Sequence, residues 1–338
     1  MQADHRRLNA PSGGTAPPIF EPSLIRDFKR PIRARQPDEH RKIFLRTGTV
    51  PSAAGSAYYE IPPQKSHINE GLLIPTGSSL KINCTVHGPR PLPRNAQFSP
   101  NLLLTTHVKF APFATRVRRG YVRDSTERDL GVHLETALRG VVIGERWPKS
   151  AGDVVITVLE GEDDGAAELG VSAGGGKAGA GWGMMNVLAG CITVASAALV
   201  DAGIDCVDLV SGGVAALTYH AADTSVKGSK GYMDTILDPA PSEHVERGGS
   251  GEIRAACVVG YLQSRDEITE IWMRGDAGAR TEELLDEAVK AASMTRQVLA
   301  EAVKEAVELK MGTPEEKTNG EVKSTGVKRQ AKDIAMTG

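Results

Sequence analysis

The chain has 338 residues, of which 40% are hydrophobic and only 4% aromatic. This length allows one large core or two small ones, and the composition is typical of a globular protein with a mainly aliphatic core. Lys and Arg total 40 against 42 Asp and Glu, which excludes a strongly basic protein. Any contact with nucleic acid must therefore come from a local patch.

The four cysteines, Cys84, Cys191, Cys206 and Cys257, are far apart and form no CxxC pair. Their spacing indicates neither a disulfide framework nor a zinc site, so we expect buried free thiols in a reducing compartment. The N-terminal segment is polar and basic, which argues against secretion. The longest apolar stretch, Met184 to Val200, is interrupted by polar residues, so no membrane partner is expected.

Residues 1–40 are rich in Pro, Arg and Gly and show no periodicity, which is typical of an extended or disordered arm. Its basic residues include Arg26, Lys29, Arg30, Arg33 and Arg35. The sequence leaves two interpretations open for this arm: a solvated tail, or a segment that lies along a partner or RNA.

Strand-like segments follow the arm at residues 43–47, 56–61, 80–87 and 102–110, with a polar insertion at 62–79. The third of them alternates strictly, with apolar residues at the even positions from Leu80 to Val86. Such alternation predicts a strand with one buried face. Because no helical spacing separates these segments, they predict an antiparallel meander.

The period changes at Asp124, which with Glu127 forms a D-x-x-E helix start. Apolar residues from Leu130 to Val141 recur at helical spacing, so we expect a helix with one inward face. A β-branched strand is predicted at residues 154–159. The Gly- and Ala-rich stretch 162–183 predicts a mobile loop.

Two further helices are predicted beyond that loop. Residues 184–202 are apolar nearly all round, which is typical of a helix buried between layers. The remaining elements are strands at 206–219, 253–262 and 267–273, a polar insertion at 221–232, a long amphipathic helix at 281–309 and a disordered tail at 310–338. The pattern predicts one α+β layered domain over residues 41–309, with an internal β-β-α duplication.

A glycine run at residues 174–179 fits G-x-G-x-x-G, but no convincing βαβ unit surrounds it. Binding of a nucleotide or another small molecule by this run is therefore an alternative, and not the favoured hypothesis. The eight histidines are scattered, and no HExxH or G-x-S-x-G motif is present. We expect no metal, no cofactor and no nucleophilic triad.

The densest basic cluster precedes the first predicted helix and contains Arg116, Arg118, Arg119, Arg123 and Arg128. N–H groups at a helix N-terminus attract anions, and guanidinium groups match phosphate oxygens. The cluster is a candidate RNA contact, and a solvated charged turn is the alternative.

Several segments together resemble the RNase PH family. They are Gly55-Ser56-Ala57 with Glu60, Val86-His87-Gly88-Pro89-Arg90, Glu127-Arg128-Asp129, A-S-A-A-L-V-D-A-G-I from Ala195 to Ile204, and Leu237-Asp238-Pro239 with Glu243. The resemblance covers about residues 30–309 and is closest to one type of fungal RNA-exosome ring subunit. It adds Arg90 to the candidate RNA contacts.

The resemblance implies an RNase PH fold, with two β-α-β halves of the ribosomal protein S5 domain 2 type. It also implies a hexameric ring around an RNA channel, in which the chain pairs with another RNase PH-like subunit under an S1-domain cap subunit. Such a ring processes and degrades RNA, including rRNA, in the nucleus and nucleolus and also in the cytoplasm.

Active members of this family cleave the terminal RNA linkage with phosphate, which a Ser/Thr-Arg pair holds, and with acids that bind a metal or protonate the leaving oxygen. Counting back from Asp201 puts the arginine position at Leu188, which cannot bind phosphate. Asp238 matches a family acid. Glu252 replaces an essential aspartate and is one methylene longer, which can cost on the order of a hundredfold in rate.

The resemblance therefore predicts a non-catalytic ring subunit with a degenerate site near Leu188, Asp238 and Glu252. The alternative is an active phosphate-dependent 3′–5′ exoribonuclease that uses Arg90, Arg128 and Glu252 in an altered arrangement.

Overall fold

Nine strands in two sheets and three α-helices make up the described part of this computed structural model, which covers residue 33 and residues 35–63, 79–115, 119–162, 182–220, 232–241 and 252–311. The strands are β1 (Phe44–Thr47), β2 (Gly55–Ile61), β3 (Leu80–Pro91), β4 (Leu103–Phe110), β5 (Ser150–Glu160), β6 (Val210–His220), β7 (Tyr232–Leu237), β8 (Glu252–Leu262) and β9 (Glu267–Gly275). The helices are α1 (Ser125–Arg139), α2 (Gly183–Asp201) and α3 (Thr281–Met311). This two-sheet α+β architecture confirms the predicted fold class.

The first sheet has the strand order β1-β2-β3-β5-β4. Strands β1 to β3 and β5 pair antiparallel, but β4 pairs parallel with β5 at the edge of the sheet. The predicted antiparallel meander is therefore wrong for β4. Parallel neighbours need a crossover connection, and α1 lies in the connection between β4 and β5.

The second sheet is antiparallel, with the order β7-β6-β8-β9. An apolar cluster that includes Leu217, Cys257, Leu284 and Ala288 joins one face of this sheet to α3. The strand predicted from residue 206 begins only at Val210. Before it, Cys206 makes a single bridge to Val142.

Helix α2 lies between the two sheets, which explains why it is apolar all round. Gly190 faces the first sheet, where an added Cβ would lie 2.8 Å from Ile82 Cδ1, and Ala189 contacts Gly212 of the second sheet. Within the described ranges, α2 is the helix that is long and apolar enough to span a membrane, with a mean hydropathy of 1.8, yet 89% of its apolar window is buried in the fold. The prediction of a helix buried between layers is confirmed.

The family-like segments on β2 and α2 pack directly against each other. An added Cβ at Gly55 would lie 2.3 Å from the Ala202 backbone nitrogen and 2.4 Å from the Ala198 carbonyl oxygen. Ser56 N donates a hydrogen bond to Asp201 Oδ2 at 2.9 Å. The small residues in both segments therefore allow a strand and a helix to approach at backbone distance.

Helix α1 begins with the predicted capping box: Asp124 accepts from Glu127 N, and the Glu127 carboxylate accepts from Asp124 N. Its buried face includes Leu130, Leu134 and Leu138, as the helical spacing indicated. All four cysteines are free; Cys84, Cys191 and Cys257 are buried as expected, whereas Cys206 is only half-buried.

Residues at three predicted segment boundaries belong to the folded domain, where the structure describes them. Arg33 and Arg35, which composition assigned to the arm, hydrogen-bond to carbonyl oxygens and the carboxylate around Asp238. Glu162, assigned to a loop, is buried, and α2 begins at Gly183. Lys310, assigned to the tail, lies in the last turn of α3 and forms an ion pair with Asp201. The glycine run at 174–179 and most of the predicted insertions lie outside the described residues.

Candidate active-site position and nucleic-acid interface

Leu188 lies in the second turn of α2 and has no exposed surface, and the same holds for the preceding Val187. Both side chains are part of the main hydrophobic core. The position that the family resemblance assigns to the phosphate-binding arginine is therefore an interior packing position in this chain.

Asp238 follows β7 and is buried, with a positive φ of 48°. Arg41 donates to both of its carboxylate oxygens, from Nε and Nη2 at 2.7 Å each, and also from its backbone N–H at 3.0 Å. Arg35 Nη1 adds a fourth donor at 3.2 Å. Three of these donors reach Oδ2 and one reaches Oδ1, so protein groups engage both oxygens of the Asp238 carboxylate.

The same arginine joins a second acid. Arg41 Nη1 donates to Glu162, and Asn186 Nδ2 donates both to the other Glu162 oxygen and to the Pro239 carbonyl oxygen, the latter at 2.7 Å. We call Arg35, Arg41, Glu162, Asn186 and Asp238 the Arg41 network. It ties the segment before β1 to the end of β5, the N-terminus of α2 and the end of β7.

The electrostatics of the Arg41 network follow from burial and charge. Burial alone would raise the pKa of the Asp238 carboxyl group, but the charges of Arg41, His40 and Arg35 and the hydrogen bonds from Arg41 hold that pKa well below its usual range. Burial raises the pKa of Glu162, and Arg41 and Asn186 offset only part of this effect. Burial would lower the pKa of Arg41, but the two carboxylates raise it well above its usual value.

The third predicted acid is placed apart from Asp238. Glu252 begins β8, and its backbone pairs with Tyr219 on β6, whereas Asp238 follows β7 on the other side of β6. The Glu252 side chain and residue Glu243 lie outside the described part of the structure. Across the described ranges, no group of three or more His, Cys, Asp or Glu side chains is arranged to hold a metal ion.

The basic cluster is partly brought together at the N-terminus of α1, while Arg116 and Arg118 lie outside the described residues. Arg119 pairs with Asp124 at 3.1 Å, and its guanidinium group stacks on the Phe110 ring at 4.3 Å. Arg123 Nη1 contacts His107 Nδ1 at 2.9 Å. Arg128 is exposed on α1.

The N-terminus of α1 is itself already occupied, because the capping box fills it with two carboxylates. From the sequence, we expected the N–H groups at this helix end to attract anions. In the structure, the arginine side chains carry the favourable charge and the helix end does not.

Arg90 lies at the end of β3 and pairs with Asp153 on β5, whose other oxygen accepts from Thr105 on β4. Thr105 and His107 are two residues apart on β4, so they share one face of the sheet. Arg90 and Arg123 therefore approach the same outward face, one through Asp153 and the other through His107.

Sequence reasoning missed Arg41, Glu162 and Lys109. Lys109 Nζ donates to the carbonyl oxygens of Gly120 at 3.0 Å and Val122 at 3.1 Å, and it pairs with the buried Glu127 at 2.9 Å. A charged residue that closely follows a β-branched strand was the available signal for Glu162. Nothing in the local pattern marks Arg41.

Comparison with known proteins gives the same family as the sequence segments that resemble RNase PH. A family model described as 3′ exoribonuclease family, domain 1 (RNase_PH) matches residues 39–205. A protein from Chaetomium thermophilum named exosome complex component MTR3 is 49% identical over 309 residues, which cover 90% of this chain and 99% of that protein. This chain belongs to the RNase PH family, among the MTR3-type exosome components. MTR3 is the mRNA-transport-regulator-three type, which is the type that the sequence resembled.

More distant members of the family extend the match. The Schizosaccharomyces pombe mtr3 protein is 29% identical, over 89% of this chain and 96% of that protein, and the human MTR3 protein is 28% identical, over 80% and 87%. The crystal structure of rice Rrp46 superposes with a TM-score of 0.55 at 15% identity and covers 80% of this chain and 98% of that one. At that identity the likeness concerns the RNase PH fold alone.

Proposed function

We propose that this chain is a non-catalytic structural subunit of the RNA exosome core ring, which supports 3′–5′ RNA processing and degradation. Membership of this ring is supported by its relatives, which are named as exosome complex components. The observation that carries the absence of catalysis is the Arg41 network, in which four protein donors engage both oxygens of the buried Asp238. Phosphorolysis depends on positioned donors for phosphate and on available acids, and the buried Leu188 supplies no such donor.

The test is a phosphorolysis assay on the full chain assembled with its partner subunits. We expect no release of nucleoside diphosphates from RNA with inorganic phosphate, while a phosphorolytic member of the family gives release under the same conditions. Release that depends on this chain, and that Glu252→Gln abolishes, would support the alternative of an active exoribonuclease.

The proposed partners are other RNase PH-like exosome subunits, one of which forms a heterodimer with this chain, together with an S1-domain cap subunit and RNA. Co-purification with a tagged chain, followed by mass measurement of the intact assembly, tests these partners. A stoichiometric assembly without an S1-domain protein would remove the cap contact from the proposal.

The RNA contact is assigned to the outward face that Arg90 and Arg123 approach, together with the exposed Arg128 of α1. Arg119 is a poor test residue because it already supports the loop through Phe110 and Asp124. Reversing Arg123 and Arg128 to Glu should weaken RNA binding of the assembled ring and make it less salt-dependent, since fewer counterions are released. Arg265→Glu, in the turn between β8 and β9, is the matched control. It should leave the RNA affinity and its salt dependence unchanged.

A location in the nucleus and nucleolus, and also in the cytoplasm, accompanies this function, because rRNA precursors are made in the nucleolus. Imaging of the tagged chain, expressed at its natural level, tests this expectation. A signal confined to the cytoplasm would remove rRNA processing from the proposed role.

A further inference from the structure

The connection between β4 and α1 exposes Tyr121 more than any other large hydrophobic side chain in the described ranges, at 90% of its surface. Single exposed apolar residues are common on protein surfaces, so exposure alone assigns no role to Tyr121. Its surroundings are more informative, because the backbone on both sides of it is held in place.

Lys109 holds this backbone. Its Nζ donates to the carbonyl oxygens of Gly120 and Val122, which flank Tyr121, at 3.0 and 3.1 Å. The same ammonium group pairs with Glu127, which is 1% exposed and also accepts from Phe110 N at 2.9 Å. The backbone on both sides of Tyr121 is thus anchored to β4 and α1, so binding of a ligand to Tyr121 would cost little conformational entropy in this backbone.

One arginine lies two residues before Tyr121 in the sequence and another lies two residues after it: Arg119 and Arg123. Arg119 is positioned by Phe110 and Asp124, and Arg123 by His107. An exposed ring in a segment that also carries two positioned guanidinium groups matches a nucleotide, whose base offers a flat face and whose phosphates carry negative charge. An apolar protein surface would instead leave these two cations to be desolvated.

We propose that Tyr121 is a base-stacking residue that receives an unpaired base of single-stranded RNA, while Arg123 binds an adjacent phosphate. This inference rests on the proposed RNA contact of the ring subunit, and it names single-stranded RNA as the ligand. Because every base has a π face, the contact tolerates any sequence. Bases in a duplex are already stacked, so duplex RNA gains little from Tyr121.

The experiment measures binding of a labelled single-stranded RNA, and of a duplex of the same sequence, to the full assembled ring across a salt series. Tyr121→Ala should weaken single-strand binding by roughly 5- to 150-fold, and Tyr121→Phe, which keeps the ring, should bind as the wild type does. The slope of affinity against salt should not change in either variant, because tyrosine releases no counterions. The assembly's mass and thermal unfolding should also stay the same.

Four other results would contradict base stacking by Tyr121. If Tyr121→Ala binds normally while Arg123→Glu weakens binding, the RNA contact stands and stacking is overturned. If neither variant changes binding, the RNA contact at this face fails as well. Loss of a subunit from the Tyr121→Ala assembly, with normal RNA binding, would make Tyr121 a protein contact. An equal loss on single strand and duplex would also overturn stacking.

Discussion

Arg41 and Asp238 are both buried, and Arg41 is the cation that Asp238 shares with Glu162, while Arg35 is a second partner of Asp238. Replacing one member of such a pair leaves the other charge uncompensated in the interior, which is far more costly than losing an exposed ion pair. At the position that the family resemblance assigns to a phosphate-binding arginine, this chain has the buried Leu188, and the Arg41 network lies beside the N-terminus of α2. At the residue scale, Leu188 and Asp238 are therefore both interior positions.

Arg41→Met should lower the free energy of unfolding by about 3–5 kcal/mol, because it removes the cation that two buried carboxylates share. Arg41→Lys should also destabilise the fold, since one ammonium group cannot reproduce the paired guanidinium bonds. Thermal unfolding of the assembled chain measures both effects. Arg146→Met, at an exposed pair with Asp205, is the control and should change stability by less than about 0.5 kcal/mol. Equal stability of Arg41→Met and wild type would contradict a structural role.

The pH dependence follows from the lowered pKa of Asp238. A group with a depressed folded pKa contributes stability above its unfolded pKa of about 4 and loses it as pH falls through the folded value. The stability difference between wild type and Asp238→Asn should therefore be constant from pH 7 to about pH 4 and shrink below that range. Unfolding measured at several pH values tests this, and a difference that already shrinks near neutral pH would contradict it.

Leu188→Arg should not restore phosphate chemistry, although it supplies the residue type that active members have. The side chain position has no exposed surface, so an arginine there would bury an unpaired charge and destabilise the fold. Soluble yield, thermal unfolding and the phosphorolysis assay measure the result. Leu188→Met, similar in volume, should cost less than about 1.5 kcal/mol. A stable Leu188→Arg chain that releases nucleoside diphosphates would overturn this interpretation.

At the scale of elements, β6 passes between two helices, and glycines allow it to do so. Gly212 contacts Ala189 of α2, and Gly213 contacts Ala288 and Ala292 of α3. Helix periodicity and the capping box made α1, α2 and α3 predictable, because these signals are local. The strand pairing of β4 was not predictable in the same way, since its neighbour β5 follows only after a whole helix.

Gly213→Ala tests the close approach of β6 and α3. The added Cβ would lie 2.2 Å from Ala292 N and 2.4 Å from Ala288 O. Both are backbone atoms, so α3 must shift, and we expect a loss of about 1–3 kcal/mol in unfolding free energy. Gly131→Ala in α1 is the control, because its Cβ would lie 3.7 Å from the nearest atom, Thr106 O. It should be neutral or stabilising by up to about 1 kcal/mol.

At the scale of the whole molecule, the edge strands of the two described sheets are β1, β4, β7 and β9. Each carries a large hydrophobic residue that is at least 40% exposed: Phe44, Leu103, Tyr232 and Ile271, respectively. Unpaired edges with exposed apolar side chains favour pairing with another chain. This distribution fits a subunit whose edges are covered by neighbours in an assembly.

The isolated chain should therefore aggregate, whereas co-expression with an RNase PH-like partner should give a soluble complex. Light scattering coupled to size-exclusion chromatography measures both. A monodisperse, stable monomer would count against a constitutive role in a ring.

The sequence by itself determined the family, the α+β class, the three helices and the buried face of β3, because these depend on local periodicity, capping residues and short motifs. Only the tertiary structure decided that β4 pairs parallel with β5, that Leu188 is interior and that Arg41 neutralises Asp238. Arg41 and Asp238 are 197 residues apart in the chain. A contact over that distance leaves no local pattern, so the burial and pairing of these charges follow only from how the strands and helices pack.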